Sequence, residues 1–591
     1  MKRFSRMMLS TAMVAALAVT VGFASHPSAI VRASAIRYAL PIINDSDMTL
    51  GGSSWVQTLD PATEADVNSG YFTQKFDGYL VEMNTNGQPI LELAKSYKVS
   101  KNHLTYTFTL RSGLHFYGGD AITPYDVKWS LARGFMEKIS LPYKEDLYYG
   151  SYIKGATQVD AGGSSETISK AMNDLSGVRY NNAANTVSIT TTKPTPFFLK
   201  AFTYASFAVL DPNALDSPNA GNNTQLTNTC DAVRDNSSGP FIPVCLNSGS
   251  GTDHGSFFPL GQTPYILAAP NPRYVGVGGK PTYEIKSEVI DTAEEAYAAY
   301  KQGSEDIVGI PPEDLSTAHQ VGDSKFYKTP TSGVFYLTPN FDKKPFSSFA
   351  CRMVVAWGIN RPALAKIFHN EEVPQYEVLP PNIAGHYNGA GAPHYNKAKA
   401  AGYLPACAKA IGSKTLSFTL PYSTGSTASD LEFAAIQAQL DSLKNGKDKV
   451  KVAIAPLQSG DYYTLIGTDL NKSSHPEWSH IAQAGWFQDF PDGFDYCTLL
   501  LRGGQNYDIG NFNNKQYNKD VDKAAVIFNQ KERIKLYIAA QKIAMAQGGW
   551  IPLTNEVGYS LVRKNITGLV FSAQYAFSTA KGMNWASVHV K

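Results

Sequence analysis

The chain has 591 residues, too many for a single hydrophobic core, so two or more lobes are expected. Hydrophobic residues make up 43% and charged residues 17%, the balance of an ordinary globular protein, which excludes a disordered, fibrous or collagen-like chain. A formal net charge of +2 without a basic block gives no electrostatic footprint for nucleic acid, so no nucleic-acid partner is expected.

At the start, Lys2, Arg3 and Arg6 precede an apolar run from Met7 to Ala24, and the small residues Ala33-Ser34-Ala35 follow. This pattern predicts a secretory signal peptide over 1–35, cleaved after Ala35. The 18-residue run also reaches the lower limit of a membrane span, so an uncleaved anchor is the alternative. Cleavage would remove Lys2, Arg3, Arg6 and Arg32 and no acidic residue, taking the formal charge from +2 to −2. Further on, Tyr71 to Met83 reads as helix and Asn84 to Gln88 as a turn. Thr105, Thr107 and Thr109 alternate with Leu104, Tyr106, Phe108 and Leu110, the period of a half-buried strand. Gly118-Gly119-Asp120 supplies a turn, and Thr123-Pro124 opens a helix with Val127, Trp129 and Leu131 toward a core. Between about 140 and 260, stretches such as 161–165 and 247–251 are rich in Gly, Ser and Asn and read as loops. A strand is expected at Tyr283 to Ile290, a helix at Ala293 to Tyr300, a turn and strand at Gly303 to Ile307, and another strand at Leu416 to Leu420.

The order of residues from Leu104 to Arg133, LTYTFTLRSGLHFYGGDAITPYDVKWSLAR, resembles the signature of the family-5 solute-binding proteins of ATP-binding-cassette (ABC) importers. These are extracytoplasmic receptors for peptides, nickel and some sugars. Dispersed landmarks follow the same family order: Thr58-Leu59-Asp60-Pro61, Pro89 to Tyr97, Ser238-Gly239-Pro240-Phe241, Asn271-Pro272-Arg273-Tyr274, Arg352 to Arg361, Phe512-Asn513-Asn514, Arg533 to Gln541, and Pro552. Asn360 stands where the family has Asp, and a helix cap accounts for it.

The resemblance implies an α/β, two-lobed periplasmic-binding-protein-like fold (type II, cluster C) with an extra small α/β lobe. Lobe I would be discontinuous, from 36–68, 205–290 and 553–591; the inserted lobe would be 69–204 and lobe II 291–552. It also implies a receptor, not an enzyme, that closes over a peptide and delivers it to ABC permease transmembrane subunits, working as a monomer and without a cofactor. No Cys precedes Cys230, so the family's lipid-attachment cysteine is missing, and an exported, unlipidated protein of the periplasm or outer face of the cytoplasmic membrane is expected.

The implied site is Gly485-Trp486-Phe487-Gln488-Asp489-Phe490. In peptide-binding relatives the Asp of this segment pairs with the ligand's α-amino group, a role that falls to Asp489. An ammonium leaving water needs a counter-charge and acceptors, and one carboxylate supplies both. Trp486 and Phe490 would pack the ligand's backbone or first side chain and lower the local dielectric, and Gly485 and Phe487 would belong to the same ligand-binding segment. Trp55 and Tyr422 fall where relatives bring loops to the cleft. An oligosaccharide receptor, with Trp486 and Trp55 stacking sugar rings, is the alternative within the fold. Asp489, Asp492 and Asp495 would be the carboxylates of a secreted carbohydrate hydrolase, the alternative of another class.

The chain contains no GxSxG, HExxH, Walker or GxGxxG motif, and its five cysteines lack CxxC spacing, so no metal site is expected. Cys230 and Cys245 are close enough to close a loop and are the candidate disulfide, and the odd count leaves at least one thiol.

Overall fold

The alternating run forms the strand Thr105–Leu110, with Tyr106, Phe108 and Leu110 buried and the threonines half-buried between them. This computed structural model describes residues 40–591 apart from 47–55, 57, 65–66, 137–151, 164–165, 216–229, 246–264, 289, 291, 370–371, 425–426, 459–461, 463–465, 467–468, 473–474, 506 and 572–584. The signal segment, Trp55 and the 247–251 loop therefore lie outside the described residues. The described strands and helices belong to one body, Pro41–Lys591.

Thr105–Leu110 sits in a four-stranded antiparallel sheet ordered Ala94–Val99, Thr105–Leu110, Thr186–Thr190, Val178–Asn181. The helix Pro124–Gly134 comes next, and the Asp126 carboxylate accepts the Thr123 N–H at 2.7 Å, closing its first turn. Val127, Trp129 and Leu131 are buried. The last turn of the helix carries Arg133, whose Nη1 donates to Asp60 Oδ1 at 2.9 Å while Nη2 donates to Oδ2. A bidentate pair buried on both sides thus joins two stretches 73 residues apart, and Asp60 before Pro61 is more than a turn residue.

Tyr71 to Met83 is not one helix. It divides into the helix Val67–Phe76 and the strand Val81–Met83. The break is at Gly78, where a Cβ would stand 2.9 Å from Ser238 Oγ and 3.1 Å from the Leu93 side chain. That approach lets the Gly78 N–H donate to Ser238 Oγ at 2.8 Å, and Tyr79 N–H then donates to Glu92 Oε2 at 2.8 Å. Tyr79, Leu80, Val81 and Met83 are all buried, so the apolar run had no period to separate helix from strand.

The largest sheet has nine strands. Its order is Ile481–Trp486, Ser324–Pro339, Ile551–Arg563, Ile307–Gly309, Ile42–Ser46, Glu284–Glu288, Tyr265–Pro270, Phe241–Pro243, with Glu372–Pro374 also pairing on Ile551–Arg563. Ile42–Ser46 runs parallel to both its neighbours, and the helix Ala293–Gln302, capped by Thr292, connects Glu284–Glu288 to Ile307–Gly309 and buries Tyr297 and Tyr300. A second parallel unit pairs Thr415–Thr424 with Asp448–Gln458, with the helix Thr427–Asp441 between them in sequence.

Cys230 and Cys245 form a disulfide, as their spacing suggested. A second one, Cys351–Cys407, ties the helix Phe349–Gly358 to the helix Lys397–Ile411, leaving Cys497 as a buried thiol. Asn360 accepts the Ala363 N–H at 3.3 Å and caps the helix Arg361–Ala365.

Two long strands lie second and third from one edge of the large sheet. Ser324–Pro339 and Ile551–Arg563 are long, antiparallel and paired with each other along almost their whole length. The outer edge of Ile551–Arg563 pairs with Ile307–Gly309 at residues 560–562 and with Glu372–Pro374 at 554–556. Between those two flanks the sheet changes neighbours. At the same level the partner strand carries an irregularity between Pro330 and Val334.

Candidate functional site

That irregularity, Thr331-Ser332-Gly333, is the floor on which the Trp486–Asp489 segment rests. The strand Ile481–Trp486 pairs with Ser324–Pro339, placing Gly485 opposite Phe335 and Trp486 opposite Val334. Past Trp486 the chain leaves the sheet, and the Gln488 N–H donates to Ser332 Oγ at 3.3 Å. The Phe487 ring lies over Gly333, where a Cβ would meet it at 2.5 Å, and edge-on to Phe335. Only glycine permits that seat.

Asp495, wholly buried, gathers the segment from the other side. Its Oδ2 accepts the indole N–H of Trp486 at 3.2 Å and the backbone N–H of Asp489 at 3.0 Å. The next residue, Tyr496, donates its hydroxyl to the Ser332 carbonyl at 2.8 Å, and burial pushes that phenol well above its usual range. Asp492 is held by Arg533 through two contacts, Nη1 to Oδ2 at 3.0 Å and Nη2 to Oδ1 at 2.6 Å. Burial works to raise the Asp492 carboxyl, but the Arg533 and Lys200 charges and the bonds from Arg533 and the Phe494 N–H hold it below the usual carboxylate range.

Gly485, Trp486, Phe487 and Asp489 are thus brought together, each partly exposed. Phe490 turns away into packing: it is 1% exposed and stacks on Phe197 and Phe494. Tyr422 is likewise packed, 2% exposed, its ring parallel to Phe433 and its hydroxyl donating to Asp430 at 2.9 Å. Its neighbour Ser423 is the nearer link to the segment, through a 3.3 Å bond from its N–H to Gln483 Oε1.

Sequence reasoning did not reach Thr331, Ser332 and Gly333. They lie about one quarter of the chain away from Gln488, at a separation of 156 residues, and carry no local motif. Arg533 and Asp492 are both marked in the sequence, but nothing there marks them as partners. Three residues of the family landmarks, Asp60, Arg133 and Arg533, prove to belong to two buried ion pairs, Asp60–Arg133 and Asp492–Arg533.

The model of the bacterial extracellular solute-binding proteins, family 5, matches residues 88–508. The chain belongs to this family. Its members are binding proteins rather than enzymes. Over 534 residues the chain is 24% identical to the oligopeptide-binding protein OppA of Bacillus subtilis, covering 87% of this chain and 88% of that one. Over 567 residues it is 25% identical to the glutathione-binding protein GsiB of Salmonella typhimurium, covering 91% and 95%. Among solved structures, the substrate-binding domain of an oligopeptide ABC transporter from Bacillus anthracis superimposes with a TM-score of 0.73 at 17% identity, over 93% of this chain and 99% of that one. The two-lobed α/β fold expected from the landmarks is therefore the fold found. Among the described residues no helix is long and apolar enough to cross a membrane.

Proposed function

We propose that this family-5 solute-binding protein captures short peptides outside the cytoplasmic membrane and delivers them, as a monomer, to the transmembrane subunits of an ABC importer. The observation that carries the reading is Asp489, held in a segment that Asp495 and Ser332 brace from two sides. The peptide-binding relatives support the same class. The Asp489 carboxylate takes the ligand's α-ammonium, with Trp486 and Phe487 covering the first residues. Bracing matters because a charge-assisted bond gains most when its acceptor is already in place.

The lobes hinge within Ser324–Pro339 and Ile551–Arg563, the two strands that pass the level where the outer edge changes partners. A ligand touching both sides stabilises only the closed form, and the permease reads that form. A hydrolase reading loses support because Asp492 is committed to Arg533 and Asp495 to Trp486 and Asp489.

The test is native mass spectrometry of the exported protein to identify a co-purifying ligand, then calorimetric titration of peptides into the emptied protein and its Asp489→Asn variant. Peptide binding weakened by roughly tenfold or more in the variant is expected, the value of one charged hydrogen bond. Unchanged peptide affinity refutes the ammonium pairing, and a bound oligosaccharide refutes the peptide class.

A further inference from the structure

The same irregular stretch that seats Gln488 on one side meets a second carboxylate on the other. Glu556 stands opposite Thr331-Ser332-Gly333 on Ile551–Arg563, at the level where the outer edge of that strand changes partners. The Thr331 hydroxyl lies 3.1 Å from the Glu556 carbonyl and 3.0 Å from its Oε2, and it accepts the Gly333 N–H at 3.0 Å, so the carboxylate is tied to the bend. Asn555 donates to the Gly333 carbonyl at 2.5 Å and locks the same turn. The side chain is only partly covered, and among the described residues no lysine, arginine or histidine forms an ion pair with it. Across the strand pair Glu372 stands directly opposite.

A half-buried carboxylate with one hydroxyl donor is costly to keep ionised. Burial accordingly pushes Glu556 above the ordinary carboxyl range, with the Thr331 bond opposing it. Two framework carboxylates, Asp60 and Asp492, are matched by the buried cations Arg133 and Arg533. Glu556 has no such cation among the described residues, and two short links, Gln488 to Ser332 and Thr331 to Glu556, connect it to the Asp489 segment.

We infer that Glu556 is a specificity-determining residue of the ligand cleft, and that it selects peptides carrying a lysine or arginine side chain by supplying the carboxylate for that cation. The inference rests on the proposed peptide function: Asp489 takes the α-ammonium of any peptide, and Glu556 takes a second positive charge found only on basic ones.

The experiment compares a short alanine peptide bearing one lysine, placed at each position in turn, with its Nε-acetylated twin by calorimetry on the full mature protein. At one position the lysine peptide is expected to bind roughly tenfold to a hundredfold more tightly than its twin, the worth of a partly desolvated charged bond. Glu556→Gln abolishes that difference, and a cooperative thermal unfolding transition reports that the variant is folded; Glu556→Asp keeps part of it. Equal affinities at every position in the natural protein, or a difference that persists in Glu556→Gln, overturn the inference while leaving peptide binding intact. Failure of either peptide to bind the natural protein instead refutes the peptide reading itself, and with it this inference.

Discussion

Replacing Asp492 by asparagine tests whether the Asp492–Arg533 pair holds the ligand segment in place. The side chains are 4% and 3% exposed and meet through two short contacts, so neither charge is screened by water. Without the carboxylate, Arg533 keeps the Ala524 carbonyl at 3.0 Å and Gln530 Oε1 at 3.3 Å but no counter-charge in this pair. Removing one partner of such a pair costs about 3–5 kcal/mol, because the other charge stays buried. Urea unfolding followed by tryptophan fluorescence at neutral pH measures the loss. Arg533→Met should cost a similar amount, and the double variant less than the two single losses added together. The pH dependence has a definite sign: a carboxyl held below its unfolded value contributes stability that is present above about pH 3.9 and lost as pH falls through the lower folded value. Asp492→Asn should lack that part of the acid-induced loss. A cost below about 1 kcal/mol, within the range of surface pairs, or strict additivity in the double variant would refute the account.

Gly333→Ala should displace the Phe487 ring, since the new methyl would meet it at 2.5 Å; a loss of about 1–3 kcal/mol in unfolding and weaker ligand binding are expected, and a crystal structure with Phe487 unmoved would contradict it. Alkylation followed by mass measurement should label one cysteine, Cys497, in denatured unreduced protein and five after reduction. Replacing Cys351 and Cys407 by serine opens a link across 56 residues and should cost about 4 kcal/mol, against about 3 kcal/mol for the 15-residue link of Cys230 and Cys245, both read from denaturation curves. Burial first, then Glu288 and Asp45, push the Glu305 carboxyl up to about 8, opposed by Ser46 and Lys286. A group raised above its unfolded value stabilises most below about pH 4.3 and loses that contribution as pH climbs through the folded value, so Glu305→Gln should flatten the fall in stability between about pH 4.5 and 8. A melting temperature whose pH dependence matches the natural protein's would count against it.

The amino-acid sequence by itself carried the elements whose cause is local. Alternation made the strand Thr105–Leu110, Thr123-Pro124 with Asp126 started the next helix, Asn360 capped another, and fifteen residues of separation were enough to suggest the Cys230–Cys245 link. Dispersed landmarks in the right order identified the family and its fold, because residues that serve one architecture recur in one order even where most positions have changed. Where burial is nearly uniform the local signal failed, as at Tyr71 to Met83: a buried stretch without a clear apolar period fits either helix or strand, and a close contact at Gly78 with Ser238 and Leu93 decided it. The second disulfide was equally silent, since 56 intervening residues say nothing about which helices meet.

The candidate site divides in the same way. Trp486 and Asp489 were legible as a motif, but the partners that set their geometry were not. Ser332, Gly333 and Glu556 come to the segment from distant stretches, because the pairing of Ser324–Pro339 with both Ile481–Trp486 and Ile551–Arg563 puts them side by side, whereas Asp495, close in sequence, is brought in by the local turn. Tertiary structure alone decided which carboxylates were spent on the framework and which was left facing the bend. Charge compensation in a low-dielectric interior depends on distance in space, and distance along the chain does not record it.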